Sequence, residues 1–170
     1  TIAGTSITNF ISDNVIGDNN RIICGDVLSG SKINTEGYLG FYDTQLSVIK
    51  EGDQQEFLGW MLPGLNKFSL SKSYFSWLFP KKRYDIDTNM RGEERAYVVT
   101  GQYEKVLPMD LYPQQLIKAI MIEDIDLMEK LGLYEVAPED LALCEFVCTS
   151  KIEVQSIIRH GLDLLRKENL

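Results

Sequence analysis

The sequence predicts an α+β protein with a β-rich first part and a helical second part. Two observations carry this prediction. In the first hundred or so residues, short aromatic and β-branched runs alternate with glycines, a spacing typical of strands and turns. From Pro113 onward, apolar residues recur every three to four positions behind successive helix-start signals. The predicted domains are therefore residues 1–108 and 109–170, with the boundary in LPMDLYP at 107–113.

The first part begins with a predicted short helix at 7–15 that turns Phe10, Ile11 and Val15 inward. Strands are expected in the runs that follow, because each combines β-branched or aromatic residues with flanking turn residues. These runs are RIICGDVLSG, GYLGFYDTQLSVIKEGD, EFLGWMLPG, KFSLSKSYFSWLF and ERAYVVTGQYEKVLP.

The second part is predicted to contain four helices. Pro113 suits the first turn of a helix, and Asp124 is a typical N-cap for the next. Pro138, followed by two acids, starts the third helix. Ser150 and Glu153 have the spacing of a capping box and predict the start of the fourth.

Composition is that of a soluble globular protein, with 44% apolar and 25% charged residues and a net charge of −8. The negative charge disfavours nucleic acid as a partner. No apolar run approaches the ~18 residues that a membrane span needs. The chain begins without Met or a signal-peptide pattern, so we expect a piece of a longer protein, with its three cysteines reduced.

Cys144 and Cys148 stand four residues apart in ALCEFVCTSK and raise the question of a metal or iron–sulfur site. The whole chain offers three Cys and one His, and neither Cys24 nor His160 has ligand spacing to the pair. A disulfide across one helical turn is geometrically awkward. The prediction is therefore two packed thiols, with a metal or redox role as the open alternative.

Large apolar side chains and a basic run adjoin in YFSWLFPKKRY, and we call residues 74–83 the aromatic–basic segment. Aromatic anchors beside basic residues are typical of a docking surface for an acidic partner or lipid headgroups. A strand pair with one core face and a basic turn remains the alternative. The predicted docking residues are Tyr74, Phe75, Trp77, Leu78, Phe79, Lys81, Lys82 and Arg83.

No catalytic, cofactor-binding or metal-binding residue is predicted. The glycines of SGSKINTEGYLG lack the strand–GxGxxG–helix context of a nucleotide site. His160 has no nucleophile in register for a catalytic triad.

Five stretches in order carry a resemblance that covers essentially the whole chain: RIICGDVLSG, GYLGFYDTQLSVIKEG, EFLGWMLPGLNKFS, ERAYVVTGQYEKVLPMDLYP and EDLALCEFVCTSK. Together they resemble the C-terminal part of the A subunit in the bacterial sodium-pumping NADH:quinone oxidoreductase family. The resemblance implies a soluble ligand-binding domain of the β-grasp type followed by a helical bundle. It also implies kinship with the flavin-binding subunit of respiratory complex I, whose bundle holds an iron–sulfur cluster. Cys144 and Cys148 then resemble a remnant of that cluster site.

The resemblance further implies a peripheral, non-catalytic piece at the cytoplasmic face of the bacterial inner membrane, with a structural or assembly role. It implies no cofactor in this piece, and FAD, FMN, riboflavin and a 2Fe–2S centre on other subunits. The implied partners are those subunits, and quinone is a further candidate. Two alternatives stay open: a quinone- or small-ligand-binding module with a cleft at Tyr38, Phe41 and Trp60, and an iron–sulfur electron carrier.

Overall fold

The computed structural model describes residues 4–15, 17, 19–53, 57–59, 61–68, 70, 72–168 and 170. The chain divides into two compact units, Thr1–Arg91 and Gly92–Leu170. The first contains a small antiparallel sheet and the second contains most of the helices. The predicted α+β class is confirmed.

The first unit is organised by a three-stranded antiparallel sheet in the order β2-β1-β3. Its elements are α1 (Thr8–Asn14), β1 (Asn20–Cys24), β2 (Ser31–Ile33) and β3 (Leu46–Lys50). In the central strand, Ile22 pairs with Ile33 on one side and Val48 on the other. The Asp26 carboxylate accepts hydrogen bonds from the backbone N–H groups of Leu28 and Ser29, which shapes the β1–β2 turn.

The short helix predicted at 7–15 is confirmed as α1. Its burial differs from the prediction, because Ile7 is fully buried while Phe10 is 40% exposed. Ile11 and Val15 are partly exposed. The inward anchor is therefore the residue that precedes the helix.

Strands were also predicted between residues 56 and 107, and there the prediction is wrong for the described residues. This part of the chain forms turns, an isolated bridge from Asp87 to Lys50, and 3₁₀ turns at Phe75–Leu78 and Tyr103–Lys105. Prolines at 63 and 80 remove ladder donors, and Gly64 has a left-handed φ of 61°. The aromatic residues indicated strand, but their lack of alternation left no single face to bury.

The second unit is a helical bundle with one continuous apolar core. Its helices are α2 (Pro113–Met121), α3 (Ile125–Lys130), α4 (Ala142–Val147) and α5 (Val154–Glu168). Pro113 opens α2, and the Asp124 carboxylate accepts from the Leu127 N–H at 3.0 Å to cap α3. Pro138 begins a 3₁₀ turn that leads into α4.

The predicted Ser150–Glu153 capping box is replaced by a tertiary contact. The Ser150 hydroxyl donates to the Ala96 carbonyl at 3.1 Å, and the Ser150 carbonyl accepts from the Arg95 N–H at 2.8 Å. Ser150 is consequently buried, and it ties the 92–108 segment to the bundle.

The 92–108 segment also contributes buried side chains to the bundle core, namely Tyr103 and Leu107. The compact units therefore divide after Arg91, whereas the sequence predicted a boundary at 108. The boundary at 108 was predicted from apolar periodicity, which indicates only where helices begin. The 92–108 segment adds side chains to the core, but its one helical element is the three-residue 3₁₀ turn Tyr103–Lys105. No helix among the described residues is long and apolar enough to cross a membrane.

Candidate functional site

Cys144 and Cys148 lie in the core of the second unit. Cys144 is on α4 and Cys148 follows the helix directly, with exposures of 0% and 2%. Burial raises the pKa of the Cys144 thiol to about 11, so this group is protonated at neutral pH. Metal and cluster ligands are thiolates, so a metal that binds Cys144 has to displace this proton.

Polar groups near the cysteine pair are only partly satisfied by the protein itself, because the buried hydroxyls of Tyr97 and Tyr103 have no hydrogen-bond partner among the described residues. Gln114 is fully buried, and its amide accepts from the Thr100 N–H and donates to the Glu104 carboxylate, each at 3.1 Å. The Tyr97 and Tyr103 rings lie 6.1 Å apart, and burial raises the pKa of both phenols. Among the described residues, no group of three or more Cys, His, Asp or Glu side chains is placed to hold a metal.

The aromatic–basic segment lies in the first unit and presents its large side chains to solvent. Phe75, Trp77, Leu78 and Phe79 are each 49–57% exposed. They sit on the 3₁₀ turn Phe75–Leu78 and on the residue that follows it. Within this run, the side chain that turns inward is the small Ser76. The arrangement puts the apolar groups outward and the hydroxyl inward, opposite to a core strand.

A short internal network holds this turn in place. The Ser76 hydroxyl donates to the Lys67 carbonyl at 2.6 Å, and the Phe75 N–H donates to the Pro63 carbonyl at 3.0 Å. The buried Lys67 ammonium donates to the Gly59 carbonyl at 2.8 Å and lies 5.4 Å from the Tyr74 ring centroid. Tyr74 is thus half-buried and supports the turn, so it differs in role from its exposed neighbours.

The basic residues also divide into two kinds. Lys82 points its ammonium back at the loop, where it donates to the Leu65 carbonyl at 3.0 Å and to the Asn66 side chain. Lys81 and Arg83 are exposed and have no hydrogen bond or ion pair to another described residue. Their charges are available to a partner.

Further exposed apolar residues, which sequence reasoning missed, precede the aromatic–basic segment in the chain. The sequence marks this region by its lack of acidic residues. Residues 57–84 contain no Asp or Glu, although the chain has 25 of them. We call residues 57–84 the acid-free stretch. Among its described residues outside the segment, the exposed large apolar ones are Phe57, Leu58, Met61, Leu62, Leu65, Phe68 and Leu70.

An open cavity of about 420 Å³ lies beside the sheet in the first unit. Apolar side chains line most of it, among them Phe10, Leu39, Leu46 and Val48. Its volume and lining are in the range of small-molecule sites. The cavity is a ligand site candidate that the sequence did not indicate.

The cleft predicted at Tyr38, Phe41 and Trp60 has no counterpart in this cavity. Tyr38 and Phe41 are 65% and 79% exposed and neither lines it. Trp60 lies outside the described residues.

A charged cluster around Glu51 has a structural role in the first unit. The Glu51 carboxylate accepts from Arg21, from Lys32 at 3.3 Å and from the Thr88 hydroxyl at 3.1 Å. Hydrogen bonding to Arg21 is the largest cause that lowers the pKa of Glu51, which falls to about 2. The cluster fastens the chain near Thr88 to β3.

Comparison with known proteins gives one consistent set of relatives, each the A subunit of a Na(+)-translocating NADH-quinone reductase. The relative from Shewanella frigidimarina is 40% identical over 169 residues, which is 99% of this chain and 38% of the relative. The one from Pasteurella multocida is 42% identical over 169 residues, with the same coverage. The one from Rhodopirellula baltica is 46% identical over 149 residues, which is 87% of this chain and 33% of the relative.

A family profile described as the NQRA C-terminal domain, of the SLBB type, matches residues 1–35. The chain spans little more than a third of the length of the relatives that it matches. The similarity covers nearly the whole of this chain, so both compact units belong to the shared region.

Proposed function

We infer that this chain, which is homologous to the C-terminal part of the A subunit of the Na(+)-translocating NADH-quinone reductases, acts as a peripheral piece of such a sodium-pumping complex. Its role is structural: it helps to join its own subunit to the others at the cytoplasmic face of the membrane, and it carries no redox centre of its own. Hydride transfer, FAD, FMN, riboflavin and the 2Fe–2S centre belong to other subunits. The names of the relatives support membership of the complex.

The fold proposal is that α1 and the sheet β2-β1-β3 form the core of a β-grasp-type ligand-binding domain. A short helix next to a small antiparallel sheet, together with the SLBB-type profile at residues 1–35, supports this assignment. A crystal structure of the chain tests it, because a β-grasp core requires further strands paired with the edge strands β2 and β3.

The observation that carries the assembly role is the exposure of the aromatic–basic segment. Trp77 and Phe79 leave about half of their surface in water, in a segment that also carries the exposed charges of Lys81 and Arg83. Large aromatic residues in this position are the anchors that dominate interface energies. The segment is therefore the surface that docks the chain where the complex meets the membrane.

The test is co-purification of the full-length subunit with its complex, once Trp77→Ala and Phe79→Ala have been introduced. We expect assembly to be lost, because interface anchors typically contribute about 2 kcal/mol or more each. The matched control is Tyr112→Ala with Ile122→Ala, two residues that are 67% and 70% exposed in the helical unit. Assembly should also survive neutralisation of acids in the helical tail, such as Glu129→Gln.

Thermal unfolding of the isolated chain separates docking from core packing. If Trp77→Ala and Phe79→Ala leave the melting temperature nearly unchanged while assembly is lost, the segment is an interface. Unfolding of the isolated variant would place the aromatics in the core, and unimpaired assembly would remove the docking role.

A second candidate function is the binding of a quinone or another small apolar ligand, and the cavity beside the sheet favours it. The matched pair of variants is Val48→Lys, at the cavity, and Val27→Lys, which is similarly exposed but away from it. Binding of a short-chain quinone should be lost with Val48→Lys alone. Equal binding by both variants excludes the cavity as the site.

The iron–sulfur alternative is tested by anaerobic reconstitution with iron and sulfide. A 4Fe–4S cluster normally requires four thiolates, and Cys144 and Cys148 are the two thiols of the helical unit. We expect no stoichiometric cluster absorbance. A cluster that forms with the intact chain and fails to form with Cys144→Ala would overturn the structural role.

A further inference from the structure

We propose that the acid-free stretch, residues 57–84, docks on the anionic lipid surface of a bilayer. The inference rests on the docking role proposed above and names its partner as phospholipid headgroups and the acyl region just beneath them. Neither an acidic protein groove nor a free phosphate is the occupant.

Charge is the first argument. The stretch carries Lys67, Lys72, Lys81, Lys82 and Arg83 and no acid over 28 residues, whereas the whole chain has a net charge of −8. Lys67 and Lys82 direct their ammonium groups to backbone carbonyls of the same loop. Lys72, Lys81 and Arg83 are exposed. Three cations are thus presented to solvent with no carboxylate of the same stretch to neutralise them, as binding to lipid phosphates requires.

Exposed apolar surface is the second argument. Eleven large apolar side chains of the described part of the stretch are exposed, four of them in the aromatic–basic segment. These residues are close together in the sequence, and exposed apolar side chains that form a patch mark contacts with a partner or a membrane. Trp and other aromatic side chains favour the headgroup level of a bilayer, where an apolar ring and a polar edge are both accommodated.

Backbone form favours a bilayer over a protein as the occupant. The described residues of the stretch contain turns and the single 3₁₀ turn Phe75–Leu78, with no α-helix or strand. The apolar side chains are therefore distributed along an irregular loop and are interrupted by Ser, Gly and Lys. A protein interface needs a close fit to a fixed shape, while a fluid headgroup layer accommodates an irregular set of apolar tips between cations.

The internal network explains how the loop keeps its groups outward. Lys67 and Ser76 fasten the 59–76 region from inside, and Lys82 fastens the end of the aromatic–basic segment to Leu65 and Asn66. The polar interactions face the interior of the loop and the apolar rings face water. Exposing apolar rings and burying polar groups does not stabilise the loop in water. On a membrane the same rings are buried, which makes this arrangement favourable.

The test is flotation of the 170-residue chain with lipid vesicles, either equal parts phosphatidylglycerol and phosphatidylcholine or phosphatidylcholine alone. We expect the chain to float with the anionic vesicles only, and to be released by about 1 M salt, which shortens the Debye length to about 3 Å. The chain has two tryptophans, Trp60 and Trp77. In the Trp60→Phe variant, the emission of Trp77 should shift to shorter wavelength on anionic vesicles and stay unchanged on phosphatidylcholine alone.

Matched variants assign the binding to this surface. Lys81→Gln with Arg83→Gln should weaken partition to anionic vesicles about thirtyfold, since each charge near an anionic surface accounts for about a fivefold factor. The control, Lys118→Gln with Lys130→Gln, removes the same two charges from exposed positions of the helical unit. The control should bind as the unaltered chain does.

Each remaining outcome overturns the inference or the assembly role. Equal loss in both double variants would mean a diffuse charge effect, and equal binding to neutral vesicles would remove the cations from the mechanism. If the chain binds neither vesicle while Trp77→Ala with Phe79→Ala still abolishes assembly, the occupant is a protein and the proposed function stands without the lipid contact. If the chain binds anionic vesicles through Lys81 and Arg83 but these variants assemble normally, the lipid contact stands and the assembly role fails.

Discussion

Burial determines the chemical character of the cysteines in this chain. Cys144 and Cys148 have a spacing that invites a metal, yet both lie in an apolar core. In that environment a thiol behaves as a small apolar group. Burial also raises the pKa of the Cys144 thiol to about 11. Cys24 is likewise buried in β1 of the other unit.

The first residue-scale prediction concerns Cys144→Ser. Replacing the buried thiol should lower the free energy of unfolding by about 1–3 kcal/mol, because a hydroxyl in an apolar site lacks a partner. Cys144→Ala, which adds no polar group, should cost less. Urea unfolding measures both variants. Rapid reaction of the native thiols with a bulky reagent would contradict the buried position.

The second residue-scale prediction concerns Glu51. Because its pKa is about 2 in the folded chain and near 4.5 when unperturbed, its ion pairs contribute stability that is fully present above about pH 4.5. That contribution is lost as the pH falls through about 2. The difference in melting temperature between the unaltered chain and Glu51→Gln should therefore shrink over this window. A difference that does not change with pH would refute the role of the carboxylate charge.

At the scale of elements, the loop that contains the aromatic–basic segment is organised by close contacts within itself. Gly64 has a φ of 61°, and a Cβ added to it would lie 2.2 Å from the Tyr74 ring. The loop therefore needs glycine here both for the backbone conformation and for the close approach of the ring.

The element-scale prediction compares two glycine substitutions. Gly101 has a similar φ of 67° but no atom within 4 Å of an added Cβ, so Gly101→Ala isolates the backbone strain, about 1–2 kcal/mol. Gly64→Ala adds a steric clash, which typically costs a further 1–3 kcal/mol or so. Tryptic cleavage within the acid-free stretch should accelerate in Gly64→Ala alone. Equal cleavage of both variants would show that the Tyr74 contact is unimportant.

At the scale of the whole molecule, the chain is two compact units with different electrostatic character. Residues 57–84 of the first unit carry five basic residues and no acid, while residues 110–170 of the second carry twelve acids and six basic residues. The second unit has a core of its own, which includes Tyr103 and Leu107 from the segment that precedes its helices.

The whole-molecule prediction concerns two truncated chains. Residues 92–170 should fold alone into a helical protein that melts cooperatively. Residues 109–170, which lack Tyr103 and Leu107, should be less stable by roughly 3 kcal/mol or more, the typical cost of removing a buried aromatic side chain. Circular dichroism melts compare the two. Equal melting temperatures would show that the 92–108 segment is not needed for the stability of the helical unit, which would favour the predicted boundary at 108.

The sequence by itself determined the α+β class, the short helix α1 and the starts of α2 and α3, because these features depend on near neighbours. Asp124 bonds a backbone group three residues away, and Pro113 needs only its own fixed φ. Tertiary structure alone decided that Ser150 bonds Ala96, that Tyr103 enters the helical core and that Trp77 faces water. These outcomes depend on groups far apart in the chain, or on which face of a segment finds a partner to bury against. An aromatic run without alternation is compatible with core and with surface alike, and the competition for burial in the folded chain decides between them.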